Sequence, residues 1–413
     1  RVLIFDYKAG ITQNTSEAAV LIAPWDSRSM AIDIAKDVQN RGDARAFSEA
    51  FVTESRDPMW SNGSRQLLVA IIVCLQQTKA QTWTWSDLAR LVSSDFETLK
   101  SLVQTYNPEG SPAVEETSKT LTSLRITLSS YMSPIYDLAD AWGNHPQDKR
   151  ISIREWIENP NDELKTLVLQ GNEKYPALMR ALVQTVIRTI HQTINSPHIL
   201  EEDNKVWLFL DEFLQAGKIE HIVSLLEVGR SKGLRVCLAA QDYHRISEVY
   251  GHESAKAMLG SVGTIIFGKT SGESAKLYSQ HIGKSEILRP KISASGHAII
   301  RKNTNIHSEQ VRDEVDVLRP EEFGALGQIR KFSRHYSQAV IFMGHELVCL
   351  ANWPRIIYPK LRPSCIPAKW TSPDFKSSLH ITRYQDTNRP FTNDGLKITD
   401  ANYEQLDLIS EHE

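Results

Sequence analysis

The stretch Val206–Phe213, VWLFLDEF, decides the fold. A short unbroken apolar run that closes on two acids suits a strand buried on both faces. Strand and helix patterns alternate around it. Upstream lie the strand LKTLVLQG and a helix over Tyr175–Ile194. Downstream come a helix over Lys218–Ser231, the strand LRVCLAAQD ending at Gln241, and helix over Tyr243–Ser261 in one or two pieces. A strand in TIIFG and a helix over Ser271–Ile282 come next. At the chain start, RVLIFDYKAG reads as a strand ending in Asp6, AAVLIAP as a second strand, and Ser29–Asn40 as an amphipathic helix. This alternation predicts an α/β fold, a parallel sheet covered by helices on both faces.

From Arg41 to Gln147 the strand signal disappears. Helical periodicity covers Gly63–Gln77, TWSDLARLV, Phe96–Thr105 and Val114–Trp142, with a break expected at Pro134. Thr84 and Asp87 have the spacing of a capping box. This predicts an all-α insertion. Lys284–Asp313 is polar and reads as a loop or an extended hairpin; QAVIFMG and ELVCLANWP read as a late edge hairpin. Beyond Pro359 the composition predicts a tail that packs on a neighbour or lies loosely on the surface.

The 413 residues, 41% hydrophobic, allow two or three domains with their own cores. A net charge of -3 leaves nucleic-acid binding to a local patch. Arg289, Lys291 and Arg301 in the polar segment either line a channel or decorate a solvated loop. The four cysteines form no C-x-x-C pair, which argues against zinc and suits a reducing compartment. The longest apolar run, Leu67–Leu75, is too short to span a bilayer.

GTIIFGKT, Gly263–Thr270, matches the phosphate-loop pattern G-x-x-x-x-G-K-[ST] letter for letter. Its middle residues are Thr264, Ile265, Ile266 and Phe267, which favour an extended strand over a wrapped backbone. The expectation is therefore a strand, with Lys269 outside any phosphate cradle.

The chemistry lies at strand ends, where ligands of α/β sheets collect. Asp211 and Glu212 have the form of a Walker B pair: the first acid holds Mg²⁺ through water, the second orients or deprotonates the attacking water. Gln241, one strand on, is placed to sense a γ-phosphate or the lytic water. Arg230 between them suits an arginine finger acting in a neighbouring subunit. Each residue has an ordinary reading as well. The acid pair can cap the next element of the chain, Gln241 can serve a turn, and Arg230 can complement a helix end. Asp6 either faces the nucleotide or caps a turn. The joint order of acid pair, Arg and Gln favours the chemical reading.

At these residues the chain resembles the type IV secretion coupling proteins of the TraD/TrwB type. Asp211, Glu212, Arg230, Gln241, Tyr250 and Gly251 fall on that family's pattern. AKAMLGSVGTIIFGKTSGESAKLYSQHIG and VDVLRPEEFGAL are similar too. The likeness spans most of Arg1–Pro354 and is strongest over Val206–Gly283. It implies a RecA-like P-loop NTPase fold, with residues 1–40 and 149–359 forming the nucleotide-binding domain, 41–148 an inserted all-α domain and 360–413 a C-terminal tail. It further implies ATP and Mg²⁺ as cofactors, a homohexamer at the cytoplasmic face of the bacterial inner membrane, and single-stranded DNA with its relaxosome, or protein substrates, passed to secretion-channel components. In that family the phosphate loop and membrane helices precede the first strand. The chain given is accordingly expected to be a fragment that neither binds ATP tightly nor hydrolyses it. The alternative is a recruitment platform for protein effectors with weak or lost ATPase activity.

Overall fold

The structure, a computed structural model, describes residues 1–377 except 112–117, 144, 160–163, 198, 200–204, 296–304, 327–335, 345–346 and 355. Its centre is a five-stranded parallel sheet. The strands are β1 (Val2–Asp6), β2 (Val20–Ile22), β5 (Thr166–Gln170), β6 (Val206–Leu210) and β7 (Leu234–Leu238). They lie in the order β2-β5-β1-β6-β7. β1 is thus sandwiched between β5 and β6, with Val2 opposite both Thr166 and Trp207.

Alternation within β6 fixes its sides. Val206, Leu208 and Leu210 are buried, whereas Trp207 and Phe209 stack on each other at 5.7 Å and remain exposed. The expectation of helices over both faces is therefore met on one side of β6 only. The buried side belongs to one core with Leu182, Val186 and Ile190 of the long helix Pro176–Ile194.

Helices fill the region after Asn40: Arg41–Phe51, Pro58–Lys79, Trp85–Val92, Phe96–Tyr106, Ser118–Tyr131 and Ser133–Trp142. Thr84 and Asp87 form the anticipated capping box. The last two helices break at Met132, two residues before Pro134. Their core, which includes Leu68, Ile72, Trp85, Leu88 and Trp142, is continuous with that of the sheet.

Three expectations are corrected. Ser29–Asn40 is not one amphipathic helix. Ala31–Ile32 (β3) pairs in parallel with Arg150–Ile151 (β4), and only Ile34–Asp37 is helical. Asp33 is drawn to Gln147 at 2.9 Å and Asp37 to Ser152 at 2.6 Å, tertiary bonds that override local periodicity. The second correction concerns the strand in TIIFG. This strand, β8 (Ile265–Phe267), is absent from the parallel sheet and pairs antiparallel with β11 (Tyr336–Met343), which also carries β12 (Leu347–Pro354). Between them in sequence, β9 (Lys284–Ser295) and β10 (Asn305–Asp316) form a two-stranded ribbon, the hairpin alternative for this segment. Arg289 there pairs with Asp313 at 3.8 Å; Arg301 lies outside the described residues.

The third correction is at the tail. Its described part is a strap on this same chain. Leu361 N–H bonds to Gln13 O at 2.7 Å, Ile366 N–H to Asp26 Oδ2 at 3.0 Å, and Trp370 Nε1 to Pro24 O at 2.7 Å. Arg362 spends its guanidinium on Thr12 O, Ala19 O and Thr15 Oγ1. Backbone carbonyls of the helix Gly10–Asn14 and of the chain before and after β2, with the Asp26 carboxylate and Thr15 hydroxyl, accept these bonds, so the polar composition does not make the segment loose. Residues 378–413 lie outside the described residues. Among the described residues no helix is long and apolar enough to cross a membrane.

Candidate nucleotide site

The sheet ladder runs past the strand ends and carries the polar residues with it. Asp211 N–H bonds to Phe5 O at 3.1 Å, Ala239 N–H to Leu210 O at 3.0 Å, and Phe213 N–H to Ala239 O at 3.3 Å. The ends of β1, β6 and β7 therefore stay in register as Asp6, Asp211–Glu212 and Gln241 emerge at one edge. Glu212 takes a left-handed backbone, φ 47° and ψ 46°. A non-glycine residue there is strained, and such strain concentrates at functional sites.

Glu212 Oε1 accepts from Gln241 Nε2 at 3.2 Å and from Lys8 Nζ at 2.7 Å. The bond to Lys8 holds the Glu212 carboxyl below its usual range, with the Gln241 bond adding to it. Asp211 goes the other way: burial, then the charges of Glu212 and Asp6, raise it. The charges of Glu212 and Asp6 both act on Asp211, but among the described residues no group of three acidic, histidine or cysteine side chains is arranged to hold a metal ion directly. Asp211, half-buried at the carboxyl edge of β6, is the acid that would hold a hydrated Mg²⁺ here, through its water shell.

Asp6 is 1% exposed, and its Oδ2 accepts from both the N–H and the Oγ1 of Thr12, the latter at 2.7 Å. This contact is the turn-capping alternative, while its charge still acts on Asp211. Behind it, a Cβ on Gly171 would lie 2.8 Å from Tyr7 Cα, so only glycine fits where the chain leaving β5 crosses that leaving β1.

Arg230 is not brought to the acid pair. It is exposed on the 3₁₀ turn Gly229–Lys232 that leads into β7, at the amino end of the strand whose carboxyl end leads to Gln241. Five residues of strand separate the two ends by roughly 16 Å.

The structure supplies one residue that the sequence reading missed, Lys8, and gives physical roles to Tyr250 and Gly251, which that reading names only for their place in the family pattern. Lys8 follows β1 in DYKAG, and its relation to Glu212 depends on β1 lying beside β6. Tyr250 accepts the Ile219 N–H on its hydroxyl at 2.9 Å and packs its ring 5.9 Å from Phe213. Gly251, at φ 84°, separates helix Tyr243–Tyr250 from helix His252–Ser261. Gly263 and Gly268 have open space where a Cβ would go and no left-handed φ, so GTIIFGKT uses neither as a phosphate-wrapping turn.

A parallel sheet with helices, polar groups converging at its carboxyl edge and a helical block inserted after the second strand define an α/β protein of the RecA-like kind. Over residues 1–339 the chain matches the type IV secretion-system coupling protein DNA-binding domain, and it belongs to that family. The structure is similar to that of the bacterial conjugative coupling protein TrwBdeltaN70 in an unbound form, with a TM-score of 0.68 at 18% identity, covering 89% of this chain and 81% of that one. It is likewise similar to plasmid coupling protein TrwB in complex with the non-hydrolysable ATP analogue ADPNP and in complex with ADP and Mg²⁺. Both have a TM-score of 0.65 at 19% identity, cover 89% of this chain, and are covered over 81% and 82% of theirs. No curated protein matches the chain.

Proposed function

We propose that this chain is the motor region of a conjugative coupling protein. It would work as an ATP-driven homohexamer at the cytoplasmic face of the inner membrane and pass single-stranded DNA with its relaxosome, or protein substrates, to the secretion channel. The observation that carries this reading is Glu212, held in a strained backbone beside Asp211 and joined to Gln241 at the sheet's carboxyl edge.

In this reading Asp211 would hold Mg²⁺ through water, and the metal would supply charge neutralisation on the phosphates. Glu212 orients the attacking water. Its lowered proton affinity suits orientation better than deprotonation while Lys8 stays in contact. Gln241 reports the γ-phosphate through its bond to Glu212. Arg230, exposed at the opposite edge, serves the site of an adjacent copy in the ring. Asp6 fixes the turn after β1.

The chain's own site residues are mostly acidic, so the chain given is expected to bind ATP weakly. A titration giving micromolar affinity would overturn that part. In the intact protein, Glu212→Gln should lower MgATP hydrolysis by about a hundredfold or more with nucleotide still bound. Unchanged turnover would refute the motor reading.

The pairing of Glu212 with Lys8 favours a second reading, a platform that recruits protein effectors with weak or lost ATPase activity. DNA binding that falls steeply with salt supports the motor. Salt-insensitive capture of a protein cargo by residues 41–147 supports the platform.

A further inference from the structure

Helix Pro176–Ile194 carries a polar stripe, Gln184, Arg188 and His191, on a face that looks toward the segment leaving the acid pair. Each member grips something. Gln184 Nε2 donates to Lys218 O, and its Oε1 accepts the Glu220 N–H at 3.1 Å. His191 Nε2 lies 3.0 Å from Ser224 Oγ, and its ring stacks on that of His221 at 4.5 Å. Tyr250 holds the Ile219 N–H between them. The backbone of Lys218, Ile219 and Glu220 is therefore clamped by side chains from two other helices. Gly217 at φ 76° and His221 at φ 66° mark its two corners.

Arg188 extends this clamp outward. Its side chain is 7% exposed, yet it pairs with two half-exposed carboxylates. Nη1 donates to Glu49 Oε2 at 2.7 Å, and Nη2 donates to Glu220 Oε2. Glu49 stands on Arg41–Phe51, the first helix of the inserted block. Glu220 ends the connection that starts at Glu212 and runs through the 3₁₀ turn Phe213–Ala216, where Phe213 and Ala216 are buried. A buried guanidinium depends on its partners, and loss of one leaves charge poorly compensated. One that is shared between two elements transmits the movement of either to the other.

We propose that Arg188 is a positioning residue that couples the inserted helical block to the acid pair. Displacement of Arg41–Phe51 by bound cargo shifts Glu49, re-partitions the guanidinium toward or away from Glu220, and changes how firmly the connection behind Glu212 is clamped. The functional half of the proposal rests on the reading of Asp211–Glu212 as the hydrolytic pair. The mechanical half does not.

The test is hydrogen exchange on this chain, with Glu49→Gln and Glu220→Gln and with Glu321→Gln, on the helix Pro320–Ala325 of a separate core, as a distant control. Glu49→Gln should speed exchange of the Ile219 and Glu220 amides by about threefold or more, although it lies on another helix, and leave the control region unchanged. Wild-type exchange at those amides in Glu49→Gln, with acceleration in Glu220→Gln, would show that the block is not linked and overturn the proposal. In the intact protein, Glu49→Gln should change the ratio of DNA-stimulated to basal ATP hydrolysis by about twofold or more. An unchanged ratio alongside accelerated exchange overturns the functional half. Absence of hydrolysis in the wild-type intact protein overturns the reading of the acid pair and leaves the mechanical link standing.

Discussion

Lys8 Nζ lies 2.7 Å from Glu212 Oε1, a contact between positions 204 apart in sequence. It exists because β1 and β6 are neighbours and both strands end at the same edge. Lys8→Met should raise the Glu212 carboxyl toward its usual range, since the Lys8 bond is the main cause of its depression. In the proposed role Glu212 is ionised to orient water, so the acid limb of the pH–rate profile for MgATP hydrolysis by the intact protein should move to higher pH. A limb that stays in place would show that another group controls it.

Tyr250→Phe removes the acceptor of the Ile219 N–H and leaves a buried amide unsatisfied. The expected cost is about 1–3 kcal/mol. Urea unfolding should show a lower midpoint with an unchanged slope. A midpoint equal to that of the wild type would mean that water replaces the hydroxyl.

Lys269→Ala tests the literal phosphate-loop match. Lys269 is exposed just beyond β8, and the Gly before it has no wrapped backbone to stabilise. Nucleotide affinity of the intact protein should stay within about twofold. A loss of tenfold or more would make Gly263–Thr270 the phosphate site after all.

Asp137 on the helix Ser133–Trp142 is raised to about 6, mainly by burial and then by Asp140. The folded state therefore binds this proton more tightly than the unfolded state, whose value is near 3.8. The contribution of Asp137 to stability is greatest below about pH 4 and is lost as pH rises through about 6. Asp137→Asn should stabilise the protein at pH 7–8 by about 1 kcal/mol after allowance for solvent screening, with no gain near pH 4. Thermal unfolding at the two pH values measures the difference. An equal gain at both would assign the effect to packing.

The sequence made the central sheet legible through β6 and β7, because an unbroken apolar run ending in polar residues has few other readings. It made Thr84–Asp87 legible because a capping box is a local interaction. Partners at long range were hidden. Nothing in DYKAG says that Lys8 meets Glu212, and nothing in the apolar triplet Ile265–Phe267 sets its direction or its neighbour. Periodicity over Ser29–Asn40 misled because Asp33 and Asp37 answer to residues more than a hundred positions away. The strap was invisible for a related reason. Arg362 binds backbone oxygens, which leave no trace in side-chain composition.

That strap has a consequence for how the protein is made. Trp25 O accepts from Ala368 N–H at 2.9 Å, and Ile366 meets Asp26 across 340 positions of sequence. During vectorial synthesis the residues around Trp25 and Asp26 therefore wait for some 340 further residues before these bonds can close. Contacts of such separation slow folding and leave early segments open to chaperones or to mispairing in the interval.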